Sequence, residues 1–405
     1  MRIRRLLVLL PGESFGAAES HALRLCLAAG GTGVSVTVAA EGAVLARLRE
    51  AARDGAPALL DLPVGWRNVP ESAAGQAEAT RAALAACQAD AVFLALPTPG
   101  HAPGAMPVLA EAGMPTLAII HAAARLPTPG GARLPELDAA TMAAAGTMRA
   151  EWVAVSTPVA ERSARWLGLA EGSVATIPDA VDRPGPMDRE ACRAALREAL
   201  GIDPGVPVAL FLGRLDAAAG ADHLPALAEA FGTRTGGILA CSGEGILEAA
   251  LREAGGAAKP LRLLEAGQNP AALLAGADLL VLPSRTEGAP LGFLAAAWGC
   301  VPVVASPQAL EAIGEDAAKV AALADPDDPE AMAEAMAESL DPSGPAPARA
   351  AAARRLTEAW RPEDMVERCL GRLRRLAAFG NAGDAHPSPH EPVPLGEPIP
   401  EVPAP

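Results

Sequence analysis

The 405-residue chain contains no tyrosine, and aromatic residues make up only 3% of it. A site that stacks several aromatic rings on a base or a sugar is therefore not expected. The charge is one-sided as well, with a formal net charge of −15 at pH 7. Nucleic acid, whose phosphates attract a basic surface, is excluded as an expected partner. The short basic runs 2–5 and 372–375 are typical of solvated faces, and they leave peripheral membrane contact open.

Two further absences concern cysteine pairs and long apolar runs. The six cysteines are scattered without a C-x-x-C pair, which argues against metal or redox use and favours small buried residues in a reducing compartment. No apolar run approaches the roughly 18 residues of a membrane span, so no transmembrane segment is expected. The run 6–10 stops at Pro11-Gly12 and is typical of a first buried strand rather than a signal peptide. We therefore expect a cytoplasmic protein.

What the sequence does contain is a long series of short apolar runs separated by helical stretches. Apolar strands alternating with helices predict parallel sheets covered on both faces. The predicted strands are Arg2–Pro11, Val34–Ala39, Ala89–Leu96, Pro115–His121, Trp152–Ser156 and Val174–Ile177, then Val206–Leu212, Gly237–Cys241, Leu261–Leu264, Asp278–Leu282 and Val301–Ala305. The prediction is an α/β protein with two Rossmann-like doubly wound domains facing across a cleft, and ligands beyond the carboxyl ends of the strands.

The domain boundaries follow from composition and turn residues. Residues 1–182 are predicted to form the N-terminal domain, and 187–345 the C-terminal one, because 182–186 reads as turn and linker chemistry. Residues 349–379 are predicted as amphipathic helix that can cross back to brace the first domain. The segment 380–405 is predicted to be disordered, since eight of the last 20 residues are proline.

The strongest chemical signal is a glutamate, Glu287, which follows the predicted strand ending at Leu282. A tight turn then leads into a helix, and it consists of Gly288, Ala289, Pro290 and Leu291. The first turn of a helix offers free N–H groups to an anion, while a carboxylate accepts hydrogen bonds from sugar hydroxyls. A helix-capping glutamate is the equally weighted alternative.

Three other loops follow predicted strands and suit phosphate contact. Arg214 comes after Gly213 and can grip a diphosphate, or else pair with Asp216 or Asp222 at the surface. Small residues elsewhere let backbone amides approach a phosphate, although a lone Gly-x-Gly is also an ordinary turn. These small residues are Gly16, Ala17, Gly243 and Gly245.

In this order, the motifs resemble those of the family 4 glycosyltransferases. The similar segments are Gly16–Glu19, Asp90–Val92, Val155–Pro158, Ile177–Asp182, Gly213–Leu215, Gly243–Gly245 and the stretch from Glu287 onward. They are spread over roughly residues 1–375. The resemblance implies a GT-B fold.

The resemblance also implies a function. Family members carry out a retaining transfer from a nucleoside-diphosphate sugar, here UDP- or GDP-linked, to an acceptor that the sequence does not identify. No cofactor or metal is bound by the protein. Glu287 would hold the donor sugar, and Arg214 would neutralise the leaving diphosphate. A histidine on the fourth strand of the first domain lies near the reacting carbon, and by position this is His121. A satisfied histidine at a strand end is the alternative for His121.

Three positions depart from the family pattern. Ala219 stands where a lysine belongs, Ala295 where a second glutamate holds the ribose, and Ala17 where the first loop has a second glycine. Losing a charged contact to the diphosphate costs roughly 10²–10³ in rate. Losing the ribose hydrogen bonds costs roughly 1–3 kcal/mol of donor affinity.

Two hypotheses follow. One is an active glycosyltransferase with a relaxed nucleotide site, helped by another basic residue such as Arg285. The other is a catalytically inactive binding or scaffold protein with the same fold. An epimerase on this fold would need further acidic and basic residues that the sequence does not reveal.

Overall fold

The computed structural model describes residues 3–12, 15–52, 57–62, 70–123, 137–265 and 267–378. Among these, the chain divides into two compact units. Unit 1 comprises the residues up to Asp179 together with 362–378, and unit 2 comprises Ala180–Arg361. The predicted disordered tail, 380–405, lies outside the described residues.

Unit 1 is built on a seven-stranded sheet with the strand order β3-β2-β1-β4-β5-β6-β7. Its strands are β1 (Arg5–Leu9), β2 (Ser35–Ala40), β3 (Ala58–Asp61), β4 (Ala91–Leu96), β5 (Thr116–Ile120), β6 (Ala150–Ala154) and β7 (Ala175–Thr176). The helices that alternate with them are α1 (Ala17–Gly31), α2 (Gly42–Ala52), α3 (Pro70–Cys87), α4 (Ala105–Glu111), α5 (Ala139–Thr147) and α6 (Thr157–Leu167).

Each strand pair of unit 1 is parallel. The central strands β4 and β5 are buried at every position, which explains why they read as continuous apolar runs in the sequence. Chain reversals rest on glycine where the backbone must adopt a left-handed conformation, as at Gly168 after α6, with φ 69°.

Unit 2 repeats this plan with a six-stranded parallel sheet in the order β10-β9-β8-β11-β12-β13. Its strands are β8 (Val208–Leu212), β9 (Ile238–Ser242), β10 (Leu261–Leu263), β11 (Leu279–Leu282), β12 (Val303–Ala305) and β13 (Ala322–Leu323). Its helices are α7 (Arg189–Leu200), α8 (Leu224–Thr235), α9 (Glu248–Ala254), α10 (Pro270–Gly276), α11 (Leu291–Trp298), α12 (Ala317–Val320), α13 (Pro329–Ser339) and α14 (Ala346–Thr357), with 3₁₀ turns at Ala221–His223 and Glu311–Asp316. The predicted α/β fold with two Rossmann-like parallel sheets is confirmed.

The C-terminal helical region is not continuous. The sequence predicts helix over 349–378, but the structure has α14 and then a separate helix, α15 (Pro362–Ala378). Pro362 lacks a backbone N–H and restricts the residue before it, so the first helix ends ahead of it. Helix α14 belongs to unit 2, whereas α15 returns to unit 1, where it lies against α1, β5 and β6.

Two strands escaped the sequence prediction, and one consequence concerns His121. Strands β3 and β13 have only four and two residues, and β3 has no buried position, so neither gives an apolar run. Because β3 gives no apolar run, the sequence predicts the strand before His121 to be the fourth of unit 1. In the structure it is β5, the fifth in chain order.

Two smaller expectations can be compared with the structure. Cys26, Cys241 and Cys369 are buried and unpaired, as expected of small core residues, but Cys300 is exposed. Within the described part of the chain, no helix has both the length and the apolar character that a membrane crossing requires.

Candidate functional site

Glu287 lies just beyond the carboxyl end of β11 and ahead of α11. Its carboxylate Oε2 is 3.5 Å from the hydroxyl of Ser284. Burial raises the pKa of Glu287 to about 7, although the positive charge of Arg214 lowers it. Pro290 stands at the N-cap of α11 and makes no side-chain hydrogen bond there. Glu287 is thus a half-buried acid whose pKa lies near neutral pH. It lies near the start of α11, but the N-cap residue of that helix is Pro290.

Arg214 follows β8 at the same edge of the unit-2 sheet. Its side chain is 68% exposed, and its guanidinium lies 3.3 Å from Asp216. The surface pairing that the sequence allowed as an alternative is therefore present. Exposed pairs of this kind contribute only about 0–1 kcal/mol, so the guanidinium can exchange Asp216 for a more strongly charged ligand at little cost.

The loop after β8 is locked against the loop after β9 by backbone contacts. The amide of Leu215 donates to the carbonyl of Glu244 over 2.9 Å. A Cβ on Gly243 would stand 1.8 Å from the carbonyl oxygen of Gly213, and one on Gly245 would stand 2.5 Å from that of Leu215. Both glycines are therefore required for close packing of the two loops, a reason that the sequence did not reveal.

The same loop is tied to the end of β11. A Cβ on Gly220 would stand 2.0 Å from the carbonyl oxygen of Pro283, so only glycine fits there. Arg285 binds both carboxylate oxygens of Asp222, at 2.6 and 2.9 Å, and its amide donates to Ala218. Arg285 is the basic residue that the sequence offers in place of the missing lysine, but its partly exposed guanidinium is engaged with Asp222 and so holds this loop in place.

Two of the three positions that depart from the family pattern belong to unit 2. Ala219 sits on the braced loop, with its amide bonded to Asp216. Ala295 lines a cavity of about 730 Å³ within unit 2. The cavity walls include Arg183, Leu212, Ala271, Leu274, Ala295 and Trp298. A longer side chain at 295 would extend into this cavity. The space that a glutamate would occupy there is therefore empty and not filled by another side chain.

The first loop of unit 1 has a different character. The amide of Gly16 donates to Oε2 of Glu19 over 2.8 Å, and Glu19 is only 3% exposed. Burial raises the pKa of the Glu19 carboxyl group. The amide that was expected to approach a phosphate already has an acidic partner in its own chain. Ala17 begins α1 and is exposed.

His121 lies in a buried cluster at the carboxyl edge of the unit-1 sheet. We call His21, His121 and Asp179 the His–Asp–His cluster. The Nδ1 atoms of His21 and His121 are 3.4 and 3.8 Å from the two carboxylate oxygens of Asp179. The imidazole rings meet edge to face with their centroids 5.0 Å apart. All three side chains are at least nine-tenths buried.

The electrostatics of the two histidines are opposite. Burial on its own lowers the pKa of His21, but the charge of Asp179 outweighs it and raises the pKa to about 10. Burial and the positive charge of His21 lower the pKa of His121 to about 3. These opposite shifts favour a protonated His21 beside Asp179 and a neutral His121.

Comparison with known proteins bears on the class of this chain. Residues 206–341 match the family model described as Glycosyl transferases group 1. Unit 2 contains a glycosyltransferase group 1 domain. The predicted glycosyltransferase class is thereby confirmed, while membership of family 4 stays a prediction. A comparison with curated protein sequences found no match.

Solved structures extend the likeness to both units. A glycosyltransferase from Rickettsia africae has a TM-score of 0.71 at 14% identity, over 92% of this chain and 98% of that one. Anabaena Alr3699/HepE in complex with UDP-glucose has a TM-score of 0.69 at 16% identity, over 93% of this chain and 100% of that one. Sucrose-phosphate synthase from Thermosynechococcus elongatus has a TM-score of 0.66 at 18% identity, over 93% and 99%. At these identities the likeness establishes the GT-B fold alone.

The structure brings together only part of the predicted site. Gly213, Arg214, Gly243, Gly245 and Glu287 share the carboxyl edge of the unit-2 sheet, with Gly288–Leu291 leading into α11. Gly16, Ala17 and His121 belong to unit 1. Sequence reasoning missed the contacts of His21 and Asp179 with His121, because these residues are far apart in the chain and no spacing motif connects them.

Proposed function

We propose that this chain transfers a sugar from a nucleoside-diphosphate sugar to an acceptor, and that the donor lies at the carboxyl edge of the unit-2 sheet. The observation that carries the proposal is that an exposed cation, Arg214, and a half-buried acid, Glu287, lie at this same edge. Their charges interact, since Arg214 lowers the pKa of Glu287. A group 1 domain in the same unit supports the proposal.

Arg214 and the start of α11 are proposed to hold the diphosphate. The guanidinium offers two parallel N–H donors, which match phosphate oxygens. The first turn of α11 adds backbone N–H groups and the positive end of the helix dipole. Arg285, Gly243 and Gly245 hold the loop that carries Arg214 in place. The backbone of Arg214 is therefore in position before the donor binds. Negative charge that develops on the leaving diphosphate would thus meet preorganised donors.

Glu287 is proposed to orient the donor sugar. As a carboxylate it accepts hydrogen bonds from sugar hydroxyls, and it then holds the sugar at the end of the diphosphate. A pKa near 7 means that this ability changes over the physiological range. Retention of the anomeric configuration is part of the proposal because the family resemblance implies it. NMR of the product's anomeric proton tests that point.

The nucleoside is proposed to lie toward the cavity that Ala295 lines. Its volume of about 730 Å³ falls within the range of about 300–1,000 Å³ typical of small-molecule pockets. Anabaena HepE has been solved with UDP-glucose, and that donor is the first candidate for this chain. GDP-linked donors stay open. The place of His121 near the reacting carbon remains a prediction.

A catalytically inactive binding protein is the second candidate. Two observations favour it: Ala219 supplies no charge to the diphosphate, and Arg285 is engaged with Asp222. Such a protein would keep the fold and bind a nucleotide sugar weakly, without turning it over.

Calorimetric titration with UDP-glucose and GDP-mannose tests the proposal. Wild-type protein should bind one of them, and Arg214→Ala and Glu287→Gln should each weaken binding. Arg234→Ala, an exposed arginine of unit 2 that pairs with Glu330, is the matched control and should bind as wild type does. Absence of binding at millimolar donor would contradict the proposal. Binding without donor consumption, in a screen of sugar and lipid acceptors, would favour the inactive candidate.

A further inference from the structure

The cavity of about 730 Å³ in unit 2 has polar side chains in only part of its wall. The wall is apolar where α10 forms it, and Trp298 of α11 contributes an indole ring. The ionised side chains that line the cavity are those of Asp182, Arg183, Arg189 and Arg354. A guanidinium offers N–H donors and no acceptor, so the carboxylate of Asp182 is the one ionised acceptor among the described lining residues.

Two of these guanidiniums pack on the indole ring of Trp298. The Cζ atom of Arg354 lies 4.5 Å from the centre of the ring, and that of Arg183 lies 5.8 Å from it. Arg354 also donates to the carbonyl oxygen of Trp298 and lies 3.7 Å from Glu358, so its guanidinium is already engaged. Arg183 forms no ion pair within the described part of the chain, and its N–H groups are therefore available to a ligand.

Asp182 and Arg183 place opposite hydrogen-bonding groups on the same cavity. They are neighbours in the chain, both line the cavity, and both are exposed, so a ligand can reach them from solvent. The guanidinium of Arg183 donates hydrogen bonds, whereas the carboxylate of Asp182 accepts them. Together they suit a ligand edge that carries an acceptor next to a donor.

Nucleobases fall into two classes by the edge that they offer. Uracil and guanine carry a carbonyl oxygen, which accepts, next to a ring N–H, which donates. Cytosine and adenine carry the reverse arrangement, an amino group next to a ring nitrogen that accepts. A site with one guanidinium and one carboxylate therefore distinguishes keto bases from amino bases.

We propose that Arg183 and Asp182 read the nucleobase of the donor and select a keto base, uracil or guanine, over an amino base, cytosine or adenine. Arg183 donates to the carbonyl oxygen of the base, and Asp182 accepts from the adjacent ring N–H. With an amino base, a donor would face the guanidinium and a lone pair would face the carboxylate, so both contacts would become repulsive. The inference rests on the proposed function, which places the nucleoside toward this cavity.

The position of Trp298 connects this pair to the proposed place of the nucleoside. Ala295 and Trp298 are three residues apart on α11, so they lie on the same face of the helix. A nucleoside beside Ala295 is thus within reach of the guanidiniums that pack on Trp298. Bases stack on arginine guanidinium planes as well as on aromatic rings, which suits a chain with few aromatic residues.

Calorimetric titration with matched pairs of nucleoside diphosphates tests the proposal. UDP and CDP differ only at the keto or amino edge of the base, and so do IDP and ADP. Wild-type protein should bind the keto member of each pair more tightly by roughly 10–100-fold. Arg183→Ala and Asp182→Asn should each bring both ratios toward one. Each ratio compares two ligands on the same protein, so a partly unfolded variant does not distort it.

Arg189→Ala is the matched control, because it removes an arginine that lines the same cavity but does not pack on Trp298. It should leave both ratios as they are in wild type. Equal binding of keto and amino partners by wild-type protein, or ratios that Arg183→Ala does not change, would overturn base selection and leave the proposed donor site in place. Binding of none of the four nucleotides at millimolar concentration would contradict the proposed function itself, and this inference with it.

Discussion

The carboxyl edges of the two sheets both carry charged groups, but the groups differ in what they contact. In unit 1, the carboxylate of Glu19 accepts a hydrogen bond from the amide of Gly16, and His21 and His121 both contact Asp179. In unit 2, Arg214 is exposed, and Glu287 is half-buried beside it. The same doubly wound topology thus supports an inward-facing set of polar groups in one unit and an outward-facing set in the other. This difference is the basis for proposing the donor site in unit 2.

The opposite edge of the unit-2 sheet provides the largest expected effect. Arg197 is 2% exposed and binds Asp278, which also accepts the amide of Val208. Replacing Asp278 with alanine leaves a buried guanidinium without its counter-charge, and we expect a loss of about 3–5 kcal/mol in the free energy of unfolding. Denaturant unfolding measures it. Glu330→Ala, which removes an exposed pair with Arg234, should cost about 0–1 kcal/mol. Equal losses would show that burial does not distinguish the two pairs.

The outward-facing groups should behave in the reverse way. Arg214→Ala and Glu287→Gln should each lower the rate of sugar transfer or donor hydrolysis by about 10²–10³, because each removes a charge from the reacting donor. Neither variant should melt at a temperature well below that of wild type. Steady-state kinetics and thermal unfolding check both halves of this prediction. Loss of stability without loss of rate would place these residues with the structural charges.

Restoring the carboxylate that is missing at position 295 should raise the affinity for the donor. Ala295→Glu places a carboxylate in the cavity of unit 2, where it can accept hydrogen bonds from a ribose. We expect donor affinity to rise by about 1–3 kcal/mol, measured by calorimetry with UDP-glucose. Ala295→Met fills similar space without an acceptor and should give no gain. Equal effects of Glu and Met would mean that the cavity is not the place of the ribose.

The last prediction concerns pH. Burial raises the pKa of Glu287 to about 7 in the folded protein, from an ordinary value of 4.5. Between these values the folded state binds more protons than the unfolded state, so stability should fall as pH rises from about 4.5 to about 7 and then level off. Glu287→Gln should lack this component. The difference in melting temperature between the two proteins across pH 4.5–8 measures it, and a constant difference would contradict the raised pKa.

Most of the fold was predictable because buried parallel strands are continuous apolar runs. Strands β4, β5, β8 and β11 illustrate this, since nearly every residue in them is buried. The short, half-exposed β3 has no such run, so the sequence does not predict it. The strand before His121 was therefore predicted as the fourth of unit 1, although it is the fifth. The amphipathic pattern over 349–378 predicts helix throughout, but Pro362 separates it into α14 and α15.

The candidate site was predictable only where the chemistry is local in the sequence. Glu287 and Arg214 stand directly after strands, so the topology places them at one edge. The contacts that join distant segments were not predictable, because no spacing rule connects them. Arg285 with Asp222 and the His–Asp–His cluster are of this kind, and so is the packing role of Gly243 against Gly213.

Hydrogen–deuterium exchange with UDP-glucose tests the contrast between the two units most directly. At saturating donor, the amides of 213–222, 242–247 and 284–294 in unit 2 should exchange more slowly than in the free protein. Arg214→Ala should abolish this protection at the same donor concentration, and Arg234→Ala should preserve it. Protection confined to unit 1, or no change in unit 2 at a concentration where calorimetry records binding, would contradict the account.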